Sequence, residues 1–130
     1  MKKVISFLLT ISILSSCSDD DSNTPDVDLI GNWKLIETFI DIGNGNGDFQ
    51  TIDSDKTIEF DSDGTVSSNG SLCQMSSQSN TPSASTYSLE NSTISCTDIG
   101  SFDINFEIKG STLIISYLCF EPCRFKFIKI

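Results

Sequence analysis

The feature that most constrains the fold is a strict alternation of apolar and polar residues over short segments. Residues 102–108 read Phe-Asp-Ile-Asn-Phe-Glu-Ile, which is the pattern of a strand with one buried and one solvated face. Residues 109–111 follow as a turn, and residues 112–118 as the return strand. Beyond the first 16 residues, no segment has the 3.6-residue apolar period of an amphipathic helix. The chain therefore predicts an all-β fold.

The same hairpin unit recurs along the chain. Strand patterns at 56–61 and 65–69 flank a turn at 61–64, and strand patterns at 86–90 and 93–97 flank a turn at 91–92. A long opening strand covers 32–42 and a closing strand covers 124–130. The pattern predicts about eight short antiparallel strands in series, as in a small up-and-down barrel or in a β-sandwich.

The first 16 residues form a separate unit. Met1-Lys2-Lys3 is a short basic start, and eleven almost wholly apolar residues follow, from Val4 to Leu14. A helix needs about 20 apolar residues to cross a bilayer, so this run is too short to span. A basic start before an apolar run of this length is typical of a signal peptide. We therefore expect residues 1–16 to be removed on export.

The sequence Leu14-Ser15-Ser16-Cys17 resembles the lipobox of bacterial lipoproteins. The resemblance implies cleavage before Cys17 and acylation of its thiol, which anchors the protein to a membrane through fatty-acyl chains such as palmitate. The alternative is an ordinary secretory signal with an unrelated cysteine. Acylation also accounts for the odd number of cysteines, since four of the five remain to pair in an oxidising compartment.

An acidic run, Ser18-Asp19-Asp20-Asp21, follows the cysteine directly. It resembles the signal with which one group of Gram-negative bacteria sends lipoproteins across the outer membrane to the cell surface. The alternative is that residues 17–28 form only an acidic, solvated tether, because runs of Asp resist folding. The resemblance implies an outer-membrane lipoprotein that faces the cell exterior.

Charge and composition exclude several function classes. Removal of Lys2 and Lys3 leaves 6 basic against 18 acidic residues, a net charge of −12, which disfavours nucleic acid as a partner. The chain has no histidine, so Ser-His-Asp and Cys-His catalysis and histidine-ligated metal sites are excluded. We expect no enzymatic activity and no cofactor, and we expect a monomer.

The opening Gly31-Asn32-Trp33 resembles the Gly-x-Trp start of lipocalins. The loop lengths agree with this resemblance, because tight turns alternate with longer connections at 43–48, 70–85, 98–101 and 120–122. The resemblance implies a lipocalin-like barrel over residues 29–130. It also implies a basic residue that packs over Trp33 from the last strand, where Lys129 is the only candidate. A β-sandwich of another family is the alternative.

The four remaining cysteines all fall at the predicted open end of the meander. Cys73, Cys96 and Cys119 end strands, and Cys123 begins the last one. Three pairings are possible; the meander favours Cys119 with Cys123 and Cys73 with Cys96. A four-thiolate zinc site is the alternative, and an oxidising compartment disfavours it. The 70–85 loop holds only three apolar residues, so we expect the bridge from Cys73 to restrain it.

Strand parity predicts which side chains line the barrel. Glu37 and Lys56 share the parity of apolar neighbours, so they are predicted to form an inward pair or a polar anchor for a ligand, unless a β-bulge turns either one outward. Leu89, Ile108, Leu113 and Ile115 belong to the same lining. The candidate pocket residues are Trp33, Leu35, Glu37, Phe39, Lys56, Ile58, Phe60, Tyr87, Phe102, Ile104, Phe106, Tyr117, Phe125 and Phe127.

A calcium-binding loop is a possible interpretation of Asp61, Asp63 and Gly64, with Asp53 and Asp55 upstream. The glycine comes two residues too early for such a loop, and a hairpin turn explains the residues.

Two functions remain open. The first is a binding module that captures a small apolar ligand in the barrel. The second is a structural or interaction domain whose filled barrel presents its mouth loops to a protein or a glycan. An internal cavity of about 300 Å³ or more would favour the first function, and a filled core the second.

Overall fold

The computed structural model describes residues 28–130. Within this range the chain forms strands, turns and loops without an α-helix, which confirms the all-β prediction. In the described part, therefore, no helix is long and apolar enough to cross a membrane. The predicted signal peptide, Cys17 and the acidic run lie outside the described residues. The strands are β1 (Gly31–Ile40), β2 (Asp48–Thr51), β3 (Thr57–Phe60), β4 (Thr65–Ser68), β5 (Ser83–Ser88), β6 (Thr93–Cys96), β7 (Phe102–Lys109), β8 (Thr112–Ser116) and β9 (Arg124–Lys129).

Eight of the nine strands form a closed antiparallel barrel. β1 pairs with β3, each following strand pairs with the next, and β9 returns to pair with β1 from Trp33↔Lys129 to Thr38↔Phe125. This order confirms the up-and-down barrel and rules out the sandwich. Because closure pairs both edges of all eight strands, the barrel itself has no open edge.

Strand β2 is a feature that the sequence pattern did not predict. It lies just after the predicted first loop and pairs with the outer half of β1, from Glu37↔Thr51 to Ile40↔Asp48. β3 pairs with the inner half of the same edge, from Gly31↔Phe60 to Lys34↔Thr57. β2 and β3 are therefore two parts of one interrupted strand. Together with the outer half of β1, β2 forms a hairpin that extends beyond the open end of the barrel. Residues 52–56 interrupt the alternation of apolar and polar residues, so the sequence did not indicate β2 as a strand.

A β-bulge in β1 reverses the parity of its second half. The register with β9 shifts between Leu35 and Glu37. Before the shift, Trp33 and Leu35 are buried in the core. After it, Glu37 lies opposite Lys126, whose neighbours Phe125 and Phe127 face inward. Since strand residues alternate between faces and opposite residues share a face, Glu37 is on the outer face.

The closed end of the barrel holds the tight turns and the start of β1. The β3–β4 turn uses Gly64 with φ +87° and a hydrogen bond from its N–H to the Asp61 carbonyl, as predicted for a hairpin. The Trp33 indole donates to the Leu29 carbonyl at 2.9 Å, and Lys129 Nζ lies 5.7 Å from the centre of the indole. Lys129 also contacts the carboxylate of Asp28 at 3.8 Å. Lys129 therefore covers Trp33, as the resemblance implied.

Four connections form the open end: residues 41–56, 69–82, 97–101 and 117–123. Both cysteine pairs lie here, which confirms the favoured pairing. Cys73 bonds to Cys96 with their Cα atoms 5.7 Å apart, and Cys119 bonds to Cys123 with Cα atoms 6.1 Å apart. The first bridge ties the longest uninterrupted loop to the end of β6, and the second closes a small loop between β8 and β9.

Candidate functional site

Twelve of the fourteen candidate pocket residues contribute to the barrel interior. Leu113 and Ile115 join them, and so do Val66 and Ile94, which were not predicted. Tyr87, Phe102 and Ile108 are only partly buried and pack against this core, with Tyr87 edge-on to Phe60 at 5.0 Å. The twelve residues are Trp33, Leu35, Lys56, Ile58, Phe60, Tyr87, Phe102, Ile104, Phe106, Tyr117, Phe125 and Phe127.

Three predicted lining residues are not in the interior. The bulge in β1 places Glu37 on the outer face, where it forms an ion pair with Lys126 rather than with Lys56. Phe39 lies on the same outer face, 5.4 Å from the Phe49 ring of β2 and 4.6 Å from the Arg124 guanidinium. Leu89 is exposed because it lies in the turn after β5 rather than in the strand. Strand parity fails for these residues because a bulge and a strand end both break the two-residue period.

The barrel interior is filled with side chains. Ten core residues have no surface that a water molecule can reach from outside or from within: Trp33, Lys56, Ile58, Phe60, Val66, Ile94, Ile104, Leu113, Ile115 and Phe127. A cavity large enough for a ligand would leave its walls accessible. Because seven of the eight barrel strands have only four to eight residues and so enclose little space, these side chains suffice to fill it.

The larger hollows open to solvent rather than into the core. One of 540 Å³ lies on the outer face of β1, β3, β4 and β5, and most of its lining residues are polar ones such as Asn32, Glu59 and Asn69. A second, of 310 Å³, lies within residues 71–83 near Asp98. A third, of 300 Å³, lies at Leu118, Cys119 and Phe120. The second and third belong to the open end.

Lys56 is the one charged residue among residues 28–130 that is buried. Its ammonium donates to the carbonyls of Ser71 and Ser76, at 2.6 Å each, and lies 5.4 Å from the centre of the Phe125 ring. None of the three ion pairs in the described part of the chain includes Lys56. Burial without a carboxylate lowers the pKa of its ammonium from 10.5 to about 8. Lys56 therefore binds a loop and not a predicted acidic partner.

The loop that Lys56 binds, residues 69–82, is here called the mouth loop. Leu72 is buried in the core, and its N–H donates to the hydroxyl of Ser83 at 2.9 Å. Ser54 donates its hydroxyl to the Ser77 carbonyl at 2.8 Å. A Cβ atom at Gly70 would collide with the Gln78 carbonyl, so the loop folds tightly on itself. The mouth loop thus closes the barrel, and more than a disulfide restrains it.

Tyr117 is the one residue of the described part with a buried side-chain oxygen or nitrogen that lacks a hydrogen-bond partner. Its ring packs edge-on to Phe125 at 5.4 Å, and burial raises the pKa of its phenol well above the ordinary value. An orphaned buried hydroxyl costs about 1–3 kcal/mol. Lys56 and Tyr117, which both lie near the Phe125 ring, are therefore two buried polar groups in addition to Ser54 and Ser68.

Exposed apolar side chains gather at the open end, and the sequence interpretation missed them. Of the eight exposed large apolar residues among residues 28–130, five lie there: Ile40, Ile42, Ile99, Leu118 and Phe120. Single exposed apolar residues are normal, but a group of them indicates an interaction surface. A signal was present for Ile99 and Phe120, because both stand among Gly, Asp, Glu and Pro in predicted connections, whereas Ile42 was predicted as the last residue of the opening strand.

The lowered pKa of Lys56 predicts an unusual pH dependence of stability. The folded chain releases this proton near pH 8, whereas the unfolded chain holds it to about 10.5. Because the unfolded state binds more protons between these values, the free energy of unfolding rises with pH across this window. From pH 7.5 to 9.5 we expect a gain of about 1–2 kcal/mol, measured by urea unfolding. Lys56→Met abolishes the rise, and Lys109→Met, at an exposed site, keeps it. The same rise in Lys56→Met would contradict this assignment.

Comparison with known families agrees with the barrel. A family model described as a lipocalin-like domain matches residues 29–115, from just before β1 into β8. No curated protein and no solved structure gives a significant match. The family match covers about two thirds of the 130 residues and includes both the Trp33 start and the mouth loop. The chain therefore belongs to the lipocalin-like domain family.

Proposed function

We propose that this protein is a lipid-anchored lipoprotein whose lipocalin-like barrel binds a protein partner through its open end. The observation that carries this proposal is the contrast between a filled interior and an open end with exposed apolar side chains. Of the two functions that the sequence leaves open, this is the interaction domain. The barrel acts as the scaffold, and the four open-end connections make the contact.

Binding of a small apolar ligand inside the barrel is compatible with the family but not favoured by this interior. Ligand pockets usually have about 300–1,000 Å³, whereas Trp33, Ile58, Phe60 and Phe127 have no accessible surface. To admit a ligand, several of these side chains would have to leave well-packed positions. The mouth loop would also have to release Leu72 and the Lys56 hydrogen bonds.

The direction in which the chain enters the barrel supports contact at the open end. β1 begins at Gly31, opposite Phe60 of β3, and therefore at the closed end. The proposed anchor at Cys17 joins the barrel through residues 18–28, which span at most about 40 Å when extended. The closed end is thus the end nearer the membrane, and the open end is the end presented to other molecules.

The proposed acidic tether suits a protein displayed in an aqueous, anionic environment. The net charge of −12 after signal removal repels anionic lipid headgroups. The barrel is then held away from the bilayer surface while the acyl chains remain inserted. Display on the cell exterior follows from the run Asp19-Asp20-Asp21 if it acts as an export signal.

Lipid anchoring predicts that Cys17→Ser removes the acyl group. We expect an alkyne-tagged fatty acid fed to cells to label the wild type and not this variant, because the thiol is the acceptor. A matched control is the double variant Cys119→Ser, Cys123→Ser, which removes two other cysteines and keeps the label. Labelled Cys17→Ser protein would refute the anchor.

Surface export predicts a role for the acidic run. With Asp19, Asp20 and Asp21 replaced by Ala, we expect protection from protease added to intact cells, since the protein then stays on the inner side of the outer membrane. Asp26→Ala, farther along the tether, should leave digestion unchanged. Digestion of the triple variant at the wild-type rate would show that the run is only a tether.

A further inference from the structure

We infer that Ile42, Leu118 and Phe120 form a docking patch for a partner protein with an apolar pocket that lysine and arginine side chains surround. These three residues are here called the rim patch. The inference rests on the proposed function, because it names the part of the open end that binds and the chemistry of the partner. The partner is a protein and not a membrane or a second copy of this chain, for the reasons below.

The loop that bears Phe120 holds this side chain out into solvent. Cys119 and Cys123 close the loop, and backbone bonding continues at its base, where the Tyr117 N–H donates to the Cys123 carbonyl at 3.0 Å. Phe120 is fully exposed at the tip, and Leu118 is 67% exposed beside it. A cross-linked loop loses little conformational freedom on binding, so an aromatic anchor at its tip binds at low entropic cost. Aromatic side chains are enriched in protein interfaces.

Ile42 extends the rim patch from the neighbouring connection. β1 and β9 pair up to Thr38↔Phe125, so the segments after β1 and before β9 leave the barrel side by side. A Cβ atom placed on Gly43 would lie 4.0 Å from the Glu121 carboxylate, which shows that the two loop tips are close. Ile42 is 83% exposed. Two loops therefore present three large apolar side chains on one side of the open end.

The charges around the rim patch determine the chemistry of the partner. The loop tips 41–47 and 117–123, which carry the rim patch, contain Asp41 and Glu121 and no lysine or arginine. The basic residues next to them are occupied: Arg124 packs on the Phe39 ring at 4.6 Å, and Lys56 is buried against the Ser71 and Ser76 carbonyls. Carboxylates beside an apolar patch favour a partner surface with basic residues around an apolar pocket. The same carboxylates repel anionic lipid and oppose pairing of two rim patches. Charge complementarity thus selects a basic protein surface over the other occupants.

The chemistry can be tested with defined probes on the full-length protein in detergent. Two fluorescent amphipathic helical peptides share a leucine face, which lysines flank in one peptide and glutamates in the other. We expect the lysine peptide to bind, and the glutamate peptide to bind at least about tenfold more weakly, because carboxylates lie beside the rim patch. Phe120→Ser should weaken binding of the lysine peptide about tenfold. Leu89→Ser is the matched control, since Leu89 is 62% exposed at the closed end, and it should leave binding unchanged.

Three results would overturn the inference: equal binding of both peptides, Phe120-dependent binding to phosphatidylcholine vesicles, or Phe120-dependent self-association in sedimentation. A second experiment, photo-crosslinking in cells, separates failure of the rim patch from failure of the proposed function.

A photo-crosslinking residue is placed in turn at positions 120, 78 and 89. Protein adducts at 120 but not at 89 support the rim patch. Adducts at 78, in the mouth loop, without adducts at 120 leave the proposed function standing and refute the rim patch. No adducts at 120 or 78 would refute both.

Discussion

The structure depends on the pairing of β1 with strands on both of its edges. β3 and β2 share one edge, and β9 occupies the other from Trp33 to Thr38. This double pairing closes the barrel and brings Lys129 over Trp33 at the closed end. It also places the start of β9, and with it the Cys119–Cys123 loop, beside the end of β1. Because of the bulge between Leu35 and Glu37, the first half of β1 points Trp33 and Leu35 into the core. The second half pairs with β2 and places Glu37 and Phe39 on the outer face.

The small size of the barrel explains why the proposed interaction surface lies outside it. Short strands enclose a space that Trp33, Phe60, Phe127 and the aliphatic residues around them fill completely. Leu72 and the hydrogen bonds of Lys56 then close the mouth. What remains available for recognition is the rim, where loops carry side chains that the core has no room to accept. A buried lysine without a carboxylate lowers the free energy of unfolding at neutral pH. In return, the Lys56 ammonium binds two carbonyls of the mouth loop and holds this loop in place.

Sequence patterns predicted the fold because most of the information is local. Alternation in residues 102–108, the turn at Gly64 and the Gly-x-Trp start each specify a strand or a turn without distant contacts. Loop lengths also placed Cys73, Cys96, Cys119 and Cys123 at one end, where three pairings were possible, and the favoured one is the pairing observed.

Features that depend on distant contacts could not be read from the pattern. The bulge at residue 36 reflects the register between β1 and β9, so parity wrongly placed Glu37 and Phe39 inside. Leu72 was one of three apolar residues in a polar loop, and only the fold shows that it enters the core. Lys56 was correctly placed inside, but its partners are backbone carbonyls, which no side-chain pattern encodes.

The barrel interior is filled, and we propose that binding therefore occurs at the rim. Trp33 is the single tryptophan and lies in the core, so it reports directly on the interior. The most direct measurement is a titration of the protein with an uncharged apolar dye that accepts energy from tryptophan, in the wild type and in Phe120→Ser. A filled barrel predicts no saturable one-to-one complex that quenches Trp33, and any weak binding should disappear with Phe120. Stoichiometric quenching of Trp33 that persists in Phe120→Ser would show a ligand inside the barrel and contradict the account.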